Sequence, residues 1–425
     1  MDSIRPSSRA KQDEGFLSRR FDRPSRNSSA PVAIAAIRNI ISKRRQCAVS
    51  PVPAFPDRIK TMKAGFMGLP SSGKTTIFDA LTGLHRQVGF AGAHKGADNV
   101  SVRVPDERLD YLCKIRQPKK CINAHINIVD VPGIEPESET ARTADAASRA
   151  ERLATLRETD ALLAVLRAFG NDNVPHIHGS IDPLRDLEEI EVILLLADLD
   201  LVERRIEKLR VSVNKPTRTQ ETEKEELHIL EKIHPALSEG KPISTVHLNP
   251  EEEKQVRGFR FLTQKPRLAV VNIDEAQSPE DPAFAAIKAK ASNPIFVRGQ
   301  LEMELSQLDE ADRKTFMQDM GITATAQERL LKSCYALLGL RTFFTLGEDE
   351  VRAWTVTAGE TAIIAAGRIH TDFAQGFIRA EVMRFDDYKA CGGSEKEVKA
   401  KNLMRLEGKD YEVKDGDIIT IRFSK

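Results

Sequence analysis

Residues 68–75 read Gly68-Leu69-Pro70-Ser71-Ser72-Gly73-Lys74-Thr75, with Thr76 following. This is a full G-x-x-x-x-G-K-T. Such a loop points its backbone N–H groups at the phosphates of a nucleotide, and the next helix adds the positive end of its dipole. Gly68 and Gly73 stand where a side chain would block the approach. Lys74 would reach the β- and γ-phosphates, and the Thr75 hydroxyl would bind Mg²⁺. The flanks agree: Lys63–Leu69 has the apolar run of a buried strand, and Lys74–Thr82 reads as a helix opening straight after a glycine turn. Strand before and helix after is the setting that separates a phosphate loop from a chance match.

Further along, His125–Val131, Ala161–Leu166, Leu268–Asn272 and Pro294–Val297 are short apolar runs of the kind buried strands have, separated by helical stretches. That alternation predicts an α/β fold with a parallel sheet covered on both faces. Two of the runs end in polar motifs. At Asp130-Val-Pro-Gly133 the carboxylate can hold the shell of a magnesium ion through water, and the glycine N–H can sense a γ-phosphate. A D-x-x-G alone is common and marks many turns, but about 55 residues beyond a phosphate loop, on a neighbouring strand, it points to a nucleotide site. The second motif, Asn272-Ile-Asp-Glu275, lies at a strand's C-terminal end, where open α/β sheets bind ligands. A guanine reader would carry Lys after the Asn and Asp at the fourth position. Ile273 and Glu275 occupy those places, which weakens the case for GTP.

The chain has 425 residues, enough for two or three domains, and 40% of them are hydrophobic and 30% charged. Its longest apolar runs, Pro31–Ile37 and Val192–Ala197, fall far short of the ~18 residues of a membrane span, so an integral membrane protein is excluded. Charge is uneven: residues 1–61 carry a net +8 and the remainder −7. The acidic body gives no general case for gripping a nucleic-acid backbone. Five cysteines with no C-x-x-C pair argue for a reducing compartment and against a disulfide scaffold or zinc ribbon.

Residues 1–61, rich in Arg, Ser and Pro, read as a basic disordered or transit-like extension, or as sequence ahead of a true start at Met62. Residues 62–183 and 251–337 form the expected nucleotide-binding domain. Between them, over 184–250, Leu195, Leu199, Val202, Ile206 and Leu209 recur at alternating spacings of four and three. A polar break containing Pro216 follows, then Leu227, Leu230, Ile233 and Leu237. Two such helices predict an inserted antiparallel helical hairpin, a coiled coil. Over 338–425, alternating stretches such as Ile378–Val382 and Ile419–Phe423 predict a small β-rich α+β domain. Trp354, inside one of these strands, reads as core. Arg352, His370 and Arg379 could line a polar, RNA-facing surface.

Taken together, GLPSSGKTTIFDALTG, VPDERLDYLCKIRQPKK, DVPG, LRETDALLAVLRAF, FLTQKPRLAVVNIDE, EVRAWTV, IHTDFAQGFIRAEV and RLEGKDYEVKDGD resemble the YchF/Obg-like ATPase family of P-loop proteins, from Lys63 to Lys425. The resemblance implies a helical hairpin inserted in the nucleotide domain and a C-terminal TGS-like domain of β-grasp type. It implies ATP over GTP through an N-x-x-E element, matched by Asn272 and Glu275, and a cytoplasmic location with ribosome or ribosomal RNA as partner; an organellar one fits if residues 1–61 are genuine. It also implies a histidine that replaces the usual water-orienting residue, because Ile134 after the D-x-x-G cannot orient water. The matching residue is His176 in Asn171-Asp-Asn-Val-Pro-His-Ile-His178, and a histidine can hold or relay a proton near neutral pH. Polar-loop histidines are more often surface residues or local hydrogen-bond partners.

The departures are those of a divergent paralogue. Ser71 replaces the family's Asn, no switch-I threonine stands out in Ala91–Val100, and Glu135-Pro-Glu-Ser-Glu-Thr follows Ile134 in place of a glycine-rich segment. The expected function is an ATP-hydrolysing, Mg²⁺-dependent switch on the translation machinery. Its alternatives are a nucleotide-binding module without turnover, a GTP-using version, and a P-loop kinase. Against the kinase stand Asn272–Glu275 and the lack of a recognisable lid.

Overall fold

Strand β1 (Lys63–Gly68) is buried from Ala64 onward because it has parallel neighbours on both edges and covered faces. It runs into the phosphate loop, and α1 (Lys74–Thr82) leaves from the loop's other end. Gly73 opens α1 in the left-handed region at φ 78°. Ile77, Phe78 and Leu81 are buried beneath the helix, with Phe78 edge-on to Phe66 at 6.2 Å. The structure, a computed structural model, describes residues 62–84, 97–135 and 146–424. The expectations for residues 1–61, for a threonine in 91–96 and for the segment from Pro136 to Asp145 lie outside the described residues.

After α1 the chain forms β2 (Asp98–Arg103), α2 (Glu107–Arg116), β3 (Lys120–Ile122), β4 (His125–Asp130), α3 (Ala146–Arg157) and β5 (Ala161–Arg167). Then come α4 (Pro183–Ser212), α5 (Gln220–Ser238), α6 (Pro250–Val256), β6 (Arg267–Asn272), α7 (Ala285–Lys290), β7 (Ile295–Val297), α8 (Gly299–Gln307), α9 (Glu310–Asp319) and α10 (Ala326–Leu337). The first sheet has the order β2-β4-β1-β5-β6-β7, all parallel except β2 against β4. All four strands read from the sequence beside β1 are present, within a residue or two of their expected ends. One side of the sheet packs under α1 and α10, the other under α3, α4 and α7.

Helix α4 starts with Pro183 in its first turn and Asp182 capping the N–H groups of Leu184 and Arg185. Its 30 residues span roughly 45 Å at 1.5 Å per residue. The first half inserts Leu187, Ile190, Ile193 and Leu194 into the core against the sheet. The second half projects, and there Leu199, Val202, Ile206 and Leu209 meet Ile229, Leu230, Ile233 and Leu237 of α5. Leu227, expected in this seam, is only half-buried at its margin. Charged pairs flank the seam, among them Arg205–Glu226 at 2.6 Å. Where α4 leaves the sheet, the fully buried Asp198 accepts hydrogen bonds from Leu262 N, Thr263 N, Thr263 Oγ1 and Arg157 Nη1.

The C-terminal part comprises β8 (Leu340–Leu346), β9 (Glu350–Thr357), α11 (Ala362–Ile369), α12 (Thr371–Gln375), β10 (Phe377–Arg384), α13 (Phe385–Ala390), α14 (Glu395–Ala400), β11 (Arg405–Glu407) and β12 (Asp417–Phe423). Its sheet has the order β11-β10-β12-β8-β9-β3. The edge strand β3 comes from the first half of the chain and pairs parallel with β9, Cys121 opposite Val351. Helix α2 packs beside it, and Leu109, Leu112, Phe344, Phe385 and Tyr388 share one core. The sequence reading placed residues 104–123 with the nucleotide domain; the structure wires them into the C-terminal sheet, because β3 is too short and polar to pair by a pattern of its own.

One further expectation is corrected. Cys113 at the end of α2 and Cys121 on β3 form a disulfide, Cα atoms 6.2 Å apart, since Gln117 in the left-handed region (φ 48°) turns the chain back on itself. Trp354 packs half-buried at the margin of the C-terminal core: its indole N–H donates to Thr345 Oγ1, it stacks on Phe343, and Arg352 lies over its ring at 4.0 Å. His370 caps α12, its Nδ1 accepting from Asp372 N.

Candidate functional site

The C-terminal ends of β1, β4, β5 and β6 meet around the phosphate loop. Lys74 and Asp130 are both buried, and Lys74 Nζ donates to Asp130 Oδ1 at 2.7 Å. The other carboxylate oxygen accepts from Thr75 Oγ1 at 3.3 Å. Motifs 55 residues apart thus converge in one charged cluster, as a site for phosphate and a hard cation requires. Thr75 is exposed on the loop's open side and Thr76 half-buried behind it.

Close approach explains three glycines. A Cβ on Gly68 would stand 2.7 Å from the carbonyl oxygen of Val165. One on Gly73 would strike the Asn272 side chain at 2.2 Å, and one on Gly133 would press on the Pro70 backbone at 3.1 Å. The D-x-x-G turn therefore lies directly on the phosphate loop. Ile134 N donates to Gly68 O at 3.1 Å, and Arg152 of α3 donates to Gly133 O at 2.5 Å. Ser71 adopts φ 63°, a left-handed conformation that a serine adopts at some cost. Leu69 and Ser72 are buried, and Ser72 Oγ has no partner among the described residues.

Asn272 does not face outward. It is 4% exposed, its Nδ2 donates to Ser72 O at 3.3 Å, and its Oδ1 accepts from Gly299 N at 3.1 Å. It braces the phosphate loop against the β7–α8 turn. Glu275 is exposed on the following loop. The structure thus gives the two members of the N-x-x-E element different surroundings.

His176 is also enclosed. Its side chain is 3% exposed, Nε2 lies 2.9 Å from Asp186 Oδ2 on α4, and Nδ1 accepts from His178 N at 3.1 Å. That acceptor role leaves the proton on Nε2, shared with Asp186. His178 in turn contacts Glu189 at 2.5 Å. Both histidines tie the loop to the first turns of α4, and His176 has both ring nitrogens engaged within the protein. Between them and the phosphate loop lies Arg167, which donates to Phe169 O (3.2 Å), Asn171 O (3.3 Å) and Ser71 O (3.5 Å). Burial lowers its pKa, and Asp186 opposes that shift. Sequence reading missed Arg167, Arg152 and Asp198, since single charged residues in strands and helices carry no motif.

Comparison with known proteins is consistent with this architecture. Residues 63–210 match the family model described as 50S ribosome-binding GTPase, and residues 340–424 match YchF-GTPase_C, described as a protein of unknown function (DUF933). The chain is 38% identical over 379 residues to the Ribosome-binding ATPase YchF of Haemophilus influenzae, covering 85% of this chain and 99% of that protein. It is 36% identical over 381 residues to the protein of the same name from Bacillus subtilis, with the same coverage. The solved structure of the Schizosaccharomyces pombe YchF GTPase superposes with a TM-score of 0.73 at 30% identity, over 88% of this chain and all of that one. With a matching phosphate-loop domain, a matching C-terminal module and relatives aligned over nearly their whole length, the chain belongs to the YchF family of P-loop nucleoside triphosphatases.

Proposed function

We propose that the chain is an ATP-binding, slowly ATP-hydrolysing switch that associates with the ribosome through its projecting hairpin and its TGS-like C-terminal domain, in the cytoplasm. The observation that carries this reading is the Lys74–Asp130–Thr75 cluster with the D-x-x-G turn closed onto the phosphate loop. An arriving phosphate competes with Asp130 for Lys74. Asp130 and the Thr75 hydroxyl form a hard oxygen pair suited to Mg²⁺ and its waters, which would neutralise the β- and γ-oxygens. Gly133, pressed on Pro70 and held by Arg152, would feel the γ-phosphate and pass its presence or loss to α3. The names of the relatives supply the ribosome as partner.

Equilibrium binding of ATP, ADP and GTP with Mg²⁺ is the first test. ATP is expected to bind more tightly than GTP, and Lys74→Ala to weaken ATP roughly 10–100-fold, the worth of a charge-assisted contact to phosphate. Ribosome co-sedimentation with ATP and with ADP follows; equal recovery in both would sink the switch.

The enclosure of His176 favours a second reading, a nucleotide-binding module without turnover. Single-turnover hydrolysis at saturating protein separates the two: phosphate released at a measurable rate supports the switch, and ATP left intact supports the module.

A further inference from the structure

A nucleotide seated on residues 68–75 has one direction in which to lay its base. Asp130 and Gly133, the groups suited to the metal and γ-phosphate, lie on the β4 side of β1, and the sheet order puts the ends of β6 and β7 on the other side. The base therefore falls among the loops that follow β5, β6 and β7. There Asn272 has both side-chain polar atoms engaged within the protein, on Ser72 O and Gly299 N. The neighbouring Arg298, at the end of β7, does not. Its Nη2 donates to Gln277 O at 3.0 Å and so spans from the β7–α8 turn to the loop carrying Glu275. Its Nε is buried with no partner among the described residues. Gln277 reaches on to Ala168 O at 3.1 Å, beside Phe169, whose ring edge would lie 3.3 Å from a Cβ on Gly73. These contacts gather a guanidinium whose Nη1, unlike the enclosed Nε, is the donor left for a ligand, a half-buried aromatic ring and an exposed carboxylate at the base end of the phosphate loop.

We propose that Arg298 is a specificity-determining residue that donates to the acceptor edge of the purine base and narrows the preference for ATP over GTP. The chemistry sets the direction: guanine offers two acceptors on that edge, N7 and O6, whereas adenine offers N7 beside an amino donor that faces a guanidinium unfavourably. This inference rests on the reading of residues 68–75 as the nucleotide site.

The test is binding of ATP, GTP and inosine triphosphate with Mg²⁺ to the full chain and to Arg298→Ala and Arg298→Gln, the second variant keeping an amide donor for the Gln277 carbonyl. Inosine triphosphate retains N7 and O6 but lacks the 2-amino group. Both variants are expected to weaken GTP and inosine triphosphate alike, by about tenfold, and ATP less than about threefold, so that the ATP-to-GTP affinity ratio rises. Using the ratio within one variant cancels any loss of folded protein. Equal losses for all three nucleotides would make Arg298 a loop brace and overturn the proposal, as would a loss confined to GTP. Failure of the wild-type chain to bind any of the three, with Lys74→Ala indistinguishable from it, would instead remove the nucleotide site itself.

Discussion

His176 shows how much a single side chain's role depends on its neighbours. As a letter in Asn171–His178 it is a polar-loop histidine; in the structure it is a buried ring held between Asp186 and the His178 N–H. His176→Ala is expected to leave ATP affinity within about twofold, because no described contact joins the ring to residues 68–75, while costing about 1–3 kcal/mol of stability through the buried Asp186 oxygen left without its donor. Chemical denaturation measures the second, and single-turnover hydrolysis shows whether the ring has a part in the chemistry. If the rate falls at unchanged affinity and unchanged fold, His176 acts on the reaction through a rearranged loop. That Lys74, Asp130 and Gly133 come together around one loop was legible in the sequence because their placement follows from spacing within motifs. Arg298 was not, since nothing one-dimensional distinguishes a donor left unpaired at a strand end from a solvated surface arginine.

Among the elements, the hairpin was the most readable, since leucines at alternating spacings of three and four impose a helix–helix seam whatever they belong to. Leu230 is fully buried in a cluster that contains no residue of the phosphate site. Leu230→Ala is therefore expected to cost about 2–5 kcal/mol in denaturant unfolding while leaving the ATP dissociation constant within about twofold. The α8–α10 junction adds a pH dependence. Glu302 of α8 accepts the first N–H of α10, from Ala326, at 2.8 Å, and its burial raises its pKa above the ordinary 4.5. The folded state thus holds a proton that the unfolded chain has released, so this group's contribution to stability is fully present below pH 4.5 and is lost as pH rises through the raised value. Glu302→Gln keeps the acceptor for Ala326 and is expected to remove that slope, raising the melting temperature at pH 7 relative to pH 4.5 compared with the unmodified chain. Such a junction is invisible in sequence, because Glu302 looks like any helix-surface glutamate until α10 closes over it.

For the molecule as a whole, the unexpected connection is residues 104–123. Arg108 of α2 reaches Asp106, Asp415 and the face of Phe344 together, and Arg116 pairs with Glu395. Arg108→Ala is expected to loosen this contact, seen as faster hydrogen exchange in β3 and β9 with the protection of β1 and β5 unchanged. Unaltered exchange in β3 would show that the apolar core of Leu109, Leu112 and Phe385 suffices alone. The sequence by itself determined the α/β core, the phosphate loop, the hairpin and the family, because each is written in short-range spacing: a strand–glycine–helix turn, apolar runs of strand length, a helical seam. Only the tertiary structure decided that β3 and α2 join the far sheet, that Asn272 braces rather than faces outward, and that His176 is enclosed. Those outcomes depend on which distant surface reaches a residue first, and pairing across 200 residues, as between Ser72 and Asn272, leaves no periodic trace in the chain.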